Sequence, residues 1–242
     1  MKLIGSLLFL GLFFLNLSSL QAQENQILVF HKTEGYYHTS IPTGIAAIKN
    51  LGGLNNFKVT ETDDAGEFSE DNLKKYQLVI FLSTTGDVLN ENQEKAFENY
   101  INTGGNFFGI HAATDTEYDW KWFGNLVGAY FMSHPKIQKA NVIVKKPQHP
   151  TVAHLPQIWT RTDEWYNFKD INPKINVLLS LDESSYEGGK NGENHPIAWY
   201  QKLEDGGKSI YTGGGHTEES YSEPAFREHL LQCILFALGE NK

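Results

Sequence analysis

The stretch "GGNFFGIHAATDTEYDW", Gly104 to Trp120, decides how the rest of the chain is read. Two glycines stop a helix, and "NFFGI" (Asn106 to Ile110) has the composition of a buried strand. His-Ala-Ala follows at once, with small residues that let the backbone turn sharply. Many α/β proteins place a reactive side chain on such a strand-to-helix turn, and here the residue is His111.

Working outward, the upstream half alternates strand and helix signals. "QILVFHK" (Gln26 to Lys32) is a short apolar run. "SIPTGIAAIKNLGG" then offers a Ser-x-Pro helix start at Ser40 and a Gly-Gly stop at Gly52 and Gly53. "FKVTET" (Phe57 to Thr62) and "QLVIFLST" (Gln77 to Thr84) read as strands, with Leu73 in a short helix between them. Asn90 and Gln93 form a capping-box pair ahead of Ala96, Phe97, Tyr100 and Ile101 at helical spacing. Strands that are apolar throughout and alternate with helices indicate a parallel sheet covered on both faces.

Beyond about residue 130 the rhythm changes to extended pieces: "KANVIVKK" (Lys139 to Lys146), "KINVLLSLD" (Lys174 to Asp182), "HPIAWYQKL" (His195 to Leu203) and "KSIYTGG" (Lys208 to Gly214). "EDGG" joins the last two as a hairpin turn. The middle of the chain, which holds His134 and Glu164, reads as irregular, and a helix over Pro224 to Leu238 closes the chain, with Gly239 past its end.

Residues 1–22 stand apart. Lys2 is a short basic region, Leu3 to Leu15 is almost wholly apolar, and "LSSLQAQ" supplies small residues for cleavage after Ala22. This pattern predicts a signal peptide, a periplasmic or secreted protein, and one domain over residues 23–242. Retention as an N-terminal anchor is the alternative, and no cysteine lies near the cut to carry a lipid. The chain carries 20 basic and 29 acidic residues, a formal charge of −9. That balance argues against nucleic acid, which demands clustered Lys and Arg, and favours a neutral or cationic small molecule. Cys233 is the only cysteine, so an intramolecular disulfide is impossible and packing must supply the stability.

The nine histidines are placed unevenly. His31 ends the first strand, His111 the fourth, and His216 follows the last in "YTGGGHTEES". Carboxyl ends of parallel strands form one rim, where ligands bind, so these three are expected to converge. His38 in "EGYYHTSIP" and His134 in "AYFMSHPKIQ" lie on loops able to reach that rim, as does Glu164 in "TRTDEWYNF". Each has a bland reading as a hydrogen-bonded structural residue. His149 and His154 read as structural or solvated, and His229 as a surface residue of the closing helix. Asp115 either orients an imidazole or caps a helix.

The segments "VFHKTEGYYHTSIPTGI", "GGNFFGIHAATDTEYDW", "GAYFMSHP", "TDEWYNF", "HPIAWY" and "YTGGGHTEESYSEPAFREHLLQCILFALG" together resemble the ThuA-like family, named for trehalose utilisation. The resemblance implies a flavodoxin-like α/β fold, similar to class I glutamine amidotransferases: a three-layer sandwich around a mostly parallel central sheet. In those enzymes the turn after the corresponding strand carries a Cys nucleophile, partnered by a His-x-Glu near the C-terminus. Here His216-Thr217-Glu218 matches the His-x-Glu, while His111 occupies the nucleophile's place. An imidazole cannot replace the thiolate in that chemistry, so glutamine hydrolysis is not expected.

Two chemistries suit a histidine-lined, acidic, aromatic rim. His111, His216 and His31 with Glu164 offer a nitrogen-rich set for zinc, though no compact motif such as His-Glu-x-x-His is present. Alternatively, His111, His216 and Glu164 shuttle protons beside a carbonyl. His31, His38, Asp115, Tyr118, His134, Trp165, His195, Trp199 and Glu218 are then the candidate substrate-binding residues, with Tyr36, Tyr37, Tyr166 and Tyr211 as further flat surfaces for sugar rings. The family name implies carbohydrate metabolism and a keto-sugar or glycoside substrate. A non-catalytic carbohydrate-binding protein and a zinc-dependent hydrolase are the rival readings.

Overall fold

Apolar runs too short for helices become the strands of one nine-stranded sheet. The computed structural model describes residues 24–240, and the expected leader over residues 1–22 lies outside them. In chain order come β1 (Asn25–Phe30), α1 (Ile41–Leu54), β2 (Phe57–Thr62), α2 (Glu70–Leu73), β3 (Leu78–Leu82), α3 (Glu91–Asn102), β4 (Asn106–Ile110) and α4 (Lys121–Val127). Then follow β5 (Tyr130–Ser133), β6 (Gln138–Val144), β7 (Ile158–Asp163), β8 (Asn167–Lys169), β9 (Asn176–Asp182), β10 (Pro196–Lys202), β11 (Lys208–Thr212) and α5 (Pro224–Leu238).

The strand order is β2-β1-β3-β4-β11-β10-β9-β6-β7, with β5 and β8 forming a separate two-stranded sheet. Pairings from β2 through to β11 are parallel. Those from β11 through to β7 are antiparallel, so the antiparallel share is larger than the alternating pattern of the first half suggests. The expected α/β sandwich is present. Helices α1 and α5 pack together on one face of the parallel half, and α3 and α4 cover the other. On that second face Phe81 packs against Phe97 and Phe123 at 5.4 Å, an aromatic layer that buries the sheet's centre.

Local expectations meet two corrections. Asn90 and Gln93 do form the capping box, but α1 does not stop at its glycine pair. It runs on to Leu54, and a Cβ on Gly52 would lie 2.6 Å from the Phe57 carbonyl, so this glycine lets the helix end close onto β2. The segment read as irregular contains β7, whose residues alternate outward and inward.

The antiparallel half curls. Four strand steps separate β11 from β7, roughly 19 Å if the sheet were flat, yet Asp163 at the end of β7 accepts a hydrogen bond from the His216 amide at 3.1 Å. Register shifts between β10 and β9 supply local bending. Edge strand β7 is thereby carried back over the mouth of β11, with Arg161 stacked among Trp159, Trp165 and Phe226 inside the curl.

Candidate functional site

Strand β4 ends in a left-handed residue: His111 has φ of +51°, and a 3-10 turn, His111–Asp115, follows immediately. A non-glycine residue pays about 1–2 kcal/mol for this backbone, which is held here because Tyr211 donates its hydroxyl to the His111 carbonyl at 2.7 Å. The sharp elbow expected of this turn is therefore present, with an imidazole on it. His111 Nδ1 lies 3.1 Å from the Gly213 carbonyl, which can only accept, so Nδ1 carries the proton and Nε2 presents a lone pair.

That lone pair faces the other site residues. His111 Nε2 is 3.1 Å from His216 Nδ1 and 3.7 Å from Glu164 Oε2, and His216 Nδ1 is itself 3.1 Å from Glu164 Oε2. The other Glu164 oxygen, Oε1, meets His134 Nδ1 at 2.9 Å. His38 completes the group, its ring edge-on to His111 at 4.8 Å and to His216 at 5.2 Å. Side-chain exposure is 0% at His111, 7% at Glu164, 17% at His216 and 44% at His134, so the cluster opens toward solvent on the His134 side.

Burial sets the charge state of the inner imidazoles. It pushes the His38 pKa down to about 4, assisted by the proximity of His216 and His134. Burial likewise holds His111 well below the usual histidine range, with His38 and His216 adding to the effect. Both rings are neutral near pH 7, so each keeps a lone pair that can ligate a cation. One ligand atom from each of His38, His111, Glu164 and His216 lies within 4.8 Å of all the others.

A buried carboxylate holds two of these residues in place. Asp163 Oδ1 accepts from the Glu164 and His216 amides, and Oδ2 accepts from the Gly215 amide, Arg161 Nη1 and the Ser220 hydroxyl. Arg161 in turn donates to Glu223 through Nε at 2.9 Å. A Cβ on Gly214 would lie 2.6 Å from Arg161 Nη1, which is why the chain before His216 is glycine there. Neither Asp163 nor Arg161 stands out among the sequence's histidine motifs. Their signal is the alternation of "IWTRTD", in which the inward positions are Trp159, Arg161 and Asp163.

The remaining candidates divide. Asp115 and Tyr118 are hydrogen-bonded to each other at the rim, where burial pushes the pKa of each upward. Tyr166 lies against His111 at 4.5 Å, and Tyr36, exposed, against His38 at 4.9 Å. His31 does not reach the cluster. It pairs with Glu61 of β2 at 2.8 Å, because β1 lies two strands, roughly 10 Å, from β4. His38 takes the place expected of His31 in a metal-binding set. The loop between them crosses β3 through the Thr33–Thr85 bridge and so carries His38 to the centre.

His195 is buried off the cluster, donating Nε2–H to the Tyr166 carbonyl at 2.7 Å, with Nδ1 on Glu183. Trp165 and Trp199 are core residues whose indoles donate to the Gln138 and Val127 carbonyls, and Tyr211 is stacked on Trp199, so none of the three presents a flat face to a ligand. Glu218 is exposed in a 3-10 turn, and the carboxylate touching His216 is Glu164 instead. His229 is fully buried rather than on the surface, bonded to the Thr151 carbonyl and the Thr212 hydroxyl. Beside it in α5, Cys233 is buried and its thiol pKa is pushed up by that burial.

The chain's relatives agree with this architecture. No curated protein matches it by sequence. A ThuA-like protein from Bacteroides uniformis ATCC 8492 is similar in structure, with TM-score 0.77 and 22% identity over 92% of this chain and 94% of that one. Another, from Parabacteroides merdae ATCC 43184, gives TM-score 0.73 and 18% identity over 89% and 90%. A cytoplasmic protein from Salmonella typhimurium shares the fold at TM-score 0.61 and 11% identity, over 87% of this chain and 98% of that one. The family model described as "Trehalose utilisation" matches residues 26–237, nearly the whole of the described chain, and on that match the protein belongs to the ThuA family.

Proposed function

We propose that this chain is an exported enzyme acting on a small-molecule carbohydrate, a keto-sugar or glycoside, at the cluster of His38, His111, His216 and Glu164. One observation carries the reading: His111 Nε2, His216 Nδ1 and Glu164 Oε2, from segments far apart in sequence, lie 3.1–3.7 Å from one another. The trehalose-utilisation family supports a carbohydrate-related role. The apolar leader over residues 1–22 supports export to the periplasm or beyond.

Isomerisation, elimination beside a carbonyl and glycoside hydrolysis share one need, a group that takes up a proton and returns it elsewhere. Glu164 is the hub for that transfer, since its two oxygens contact the largely covered His216 and the half-exposed His134. Exposed Tyr36 and Tyr37 beside His38 offer apolar faces for a sugar ring. Glutamine hydrolysis is not part of this function, because the elbow carries no thiol and Cys233 is sealed in the core.

Purified protein is screened against glycosides and their 3-keto forms, with products read by mass spectrometry. Turnover that falls at least about 100-fold in His111→Ala and Glu164→Gln supports the assignment. If calorimetry detects oligosaccharide binding while no product forms over hours, the chain is a carbohydrate-binding protein and the enzymatic reading fails. Full turnover in His111→Ala removes that residue from the mechanism.

A further inference from the structure

We propose that His38, His111, His216 and Glu164 form a binding site for one divalent transition-metal ion of the zinc class. This deepens the proposed function by giving the same cluster a cation, yet it stands on donor geometry alone and does not depend on the sugar.

The first argument is spacing. Ligand atoms bound tetrahedrally to zinc at about 2.0–2.2 Å lie roughly 3.3–3.6 Å apart along each edge. The edges among His111 Nε2, His216 Nδ1 and Glu164 Oε2 measure 3.1, 3.1 and 3.7 Å. A nitrogen of His38 falls within 4.8 Å of all three, so a small movement of its loop closes the fourth corner.

The second argument is that the outer contacts are those that orient metal ligands. A ligating histidine donates its other N–H to a carbonyl or carboxylate, which fixes the tautomer. His111 does so through Nδ1 to the Gly213 carbonyl. A ligating carboxylate is itself hydrogen-bonded. Glu164 Oε1 is occupied by His134, leaving Oε2 facing the imidazoles. Asp163 fixes the backbone of both Glu164 and His216.

The third argument is that the cluster is incomplete without a cation. Three imidazoles are packed ring against ring, and His38 Nδ1 is buried with no hydrogen-bond partner among the described residues. His216 Nδ1 has at most one proton for two acceptors, His111 Nε2 and Glu164 Oε2, so one of them is left with a lone pair unmatched in a crowded site, which a positive centre would satisfy. Three nitrogens and one oxygen suit zinc, cobalt, nickel or copper and are a poor set for magnesium or calcium, which take oxygen.

The test uses purified protein, stripped with a chelator and titrated with zinc chloride or cobalt chloride in the absence of any sugar. Binding of one metal per chain is expected, with the intense visible absorption of four-coordinate cobalt. His216→Ala and Glu164→Gln weaken zinc binding at least about 100-fold, and Asp163→Asn weakens it by roughly 10–100-fold through ligand orientation. His31→Ala, away from the cluster, binds as the parent does. Absence of saturable binding, the pale spectrum of six-coordinate cobalt, or unchanged affinity in His216→Ala overturns the proposal. Should a variant fail to fold, the cobalt spectrum of the parent still decides. A metal site without turnover, or turnover without metal, separates this inference from the carbohydrate reading.

Discussion

At His111 the backbone and the side chain make opposed demands. The φ of +51° suits glycine or asparagine, while the site contacts require an imidazole. Asparagine tolerates the left-handed region and retains an amide that can donate to the Gly213 carbonyl. His111→Asn is therefore expected to unfold in urea at a stability about 1 kcal/mol above His111→Ala, with both lacking turnover. An alanine variant as stable as the asparagine one would show that the turn does not select for this conformation. The residues legible in sequence were those at strand ends, His111 and His216, because the end of a parallel strand fixes where its next residue lies. His38 was harder to single out than His31, since the choice between them depends on strand order and not on local pattern. Trp165 and Trp199 show the converse: aromatics beside a site motif went into the core.

Among the elements, β7 matters most and was least visible. Its inward positions hold an arginine and an aspartate, so the period-two signal lacks the apolar contrast by which a strand is recognised. The central parallel strands β3 and β4, by contrast, are almost wholly apolar, and β2, β4 and α5 match their sequence-based limits. Asp163 ties β7 to the loop after β11, and its carboxylate receives five donors. Asp163→Asn replaces one acceptor oxygen by an amide that faces donors and removes the charge opposite Arg161. A loss of about 3 kcal/mol is expected from urea unfolding. A variant within 0.5 kcal/mol of the parent, a change on the order of a neutral surface substitution, would mean that the clamp contributes little to stability.

For the whole molecule, buried histidines make stability depend on pH. His229 is neutral in the native core, its pKa pushed down to about 4 by burial, against 6.5 in an exposed chain. Below pH 6.5 the unfolded chain binds a proton that the native chain refuses, so stability falls as the pH drops from 6.5 toward about 4. The loss approaches 3 kcal/mol, on the order of the whole shift. Urea midpoints measured across that window should decline more steeply for the parent than for His229→Gln; parallel curves would remove His229 from the account. The sandwich itself was readable from alternating strands and helices, whereas the curl of the antiparallel half was not, because curvature arises from register shifts and long-range pairing. No helix among the described residues is long and apolar enough to cross a membrane. The curl also decides which groups meet. Glu164 reaches His216 only because the far edge comes back over β11, so a strand four places away in the sheet delivers the carboxylate. Flattening the bend would therefore withdraw the carboxylate from the imidazoles while leaving the parallel half in place.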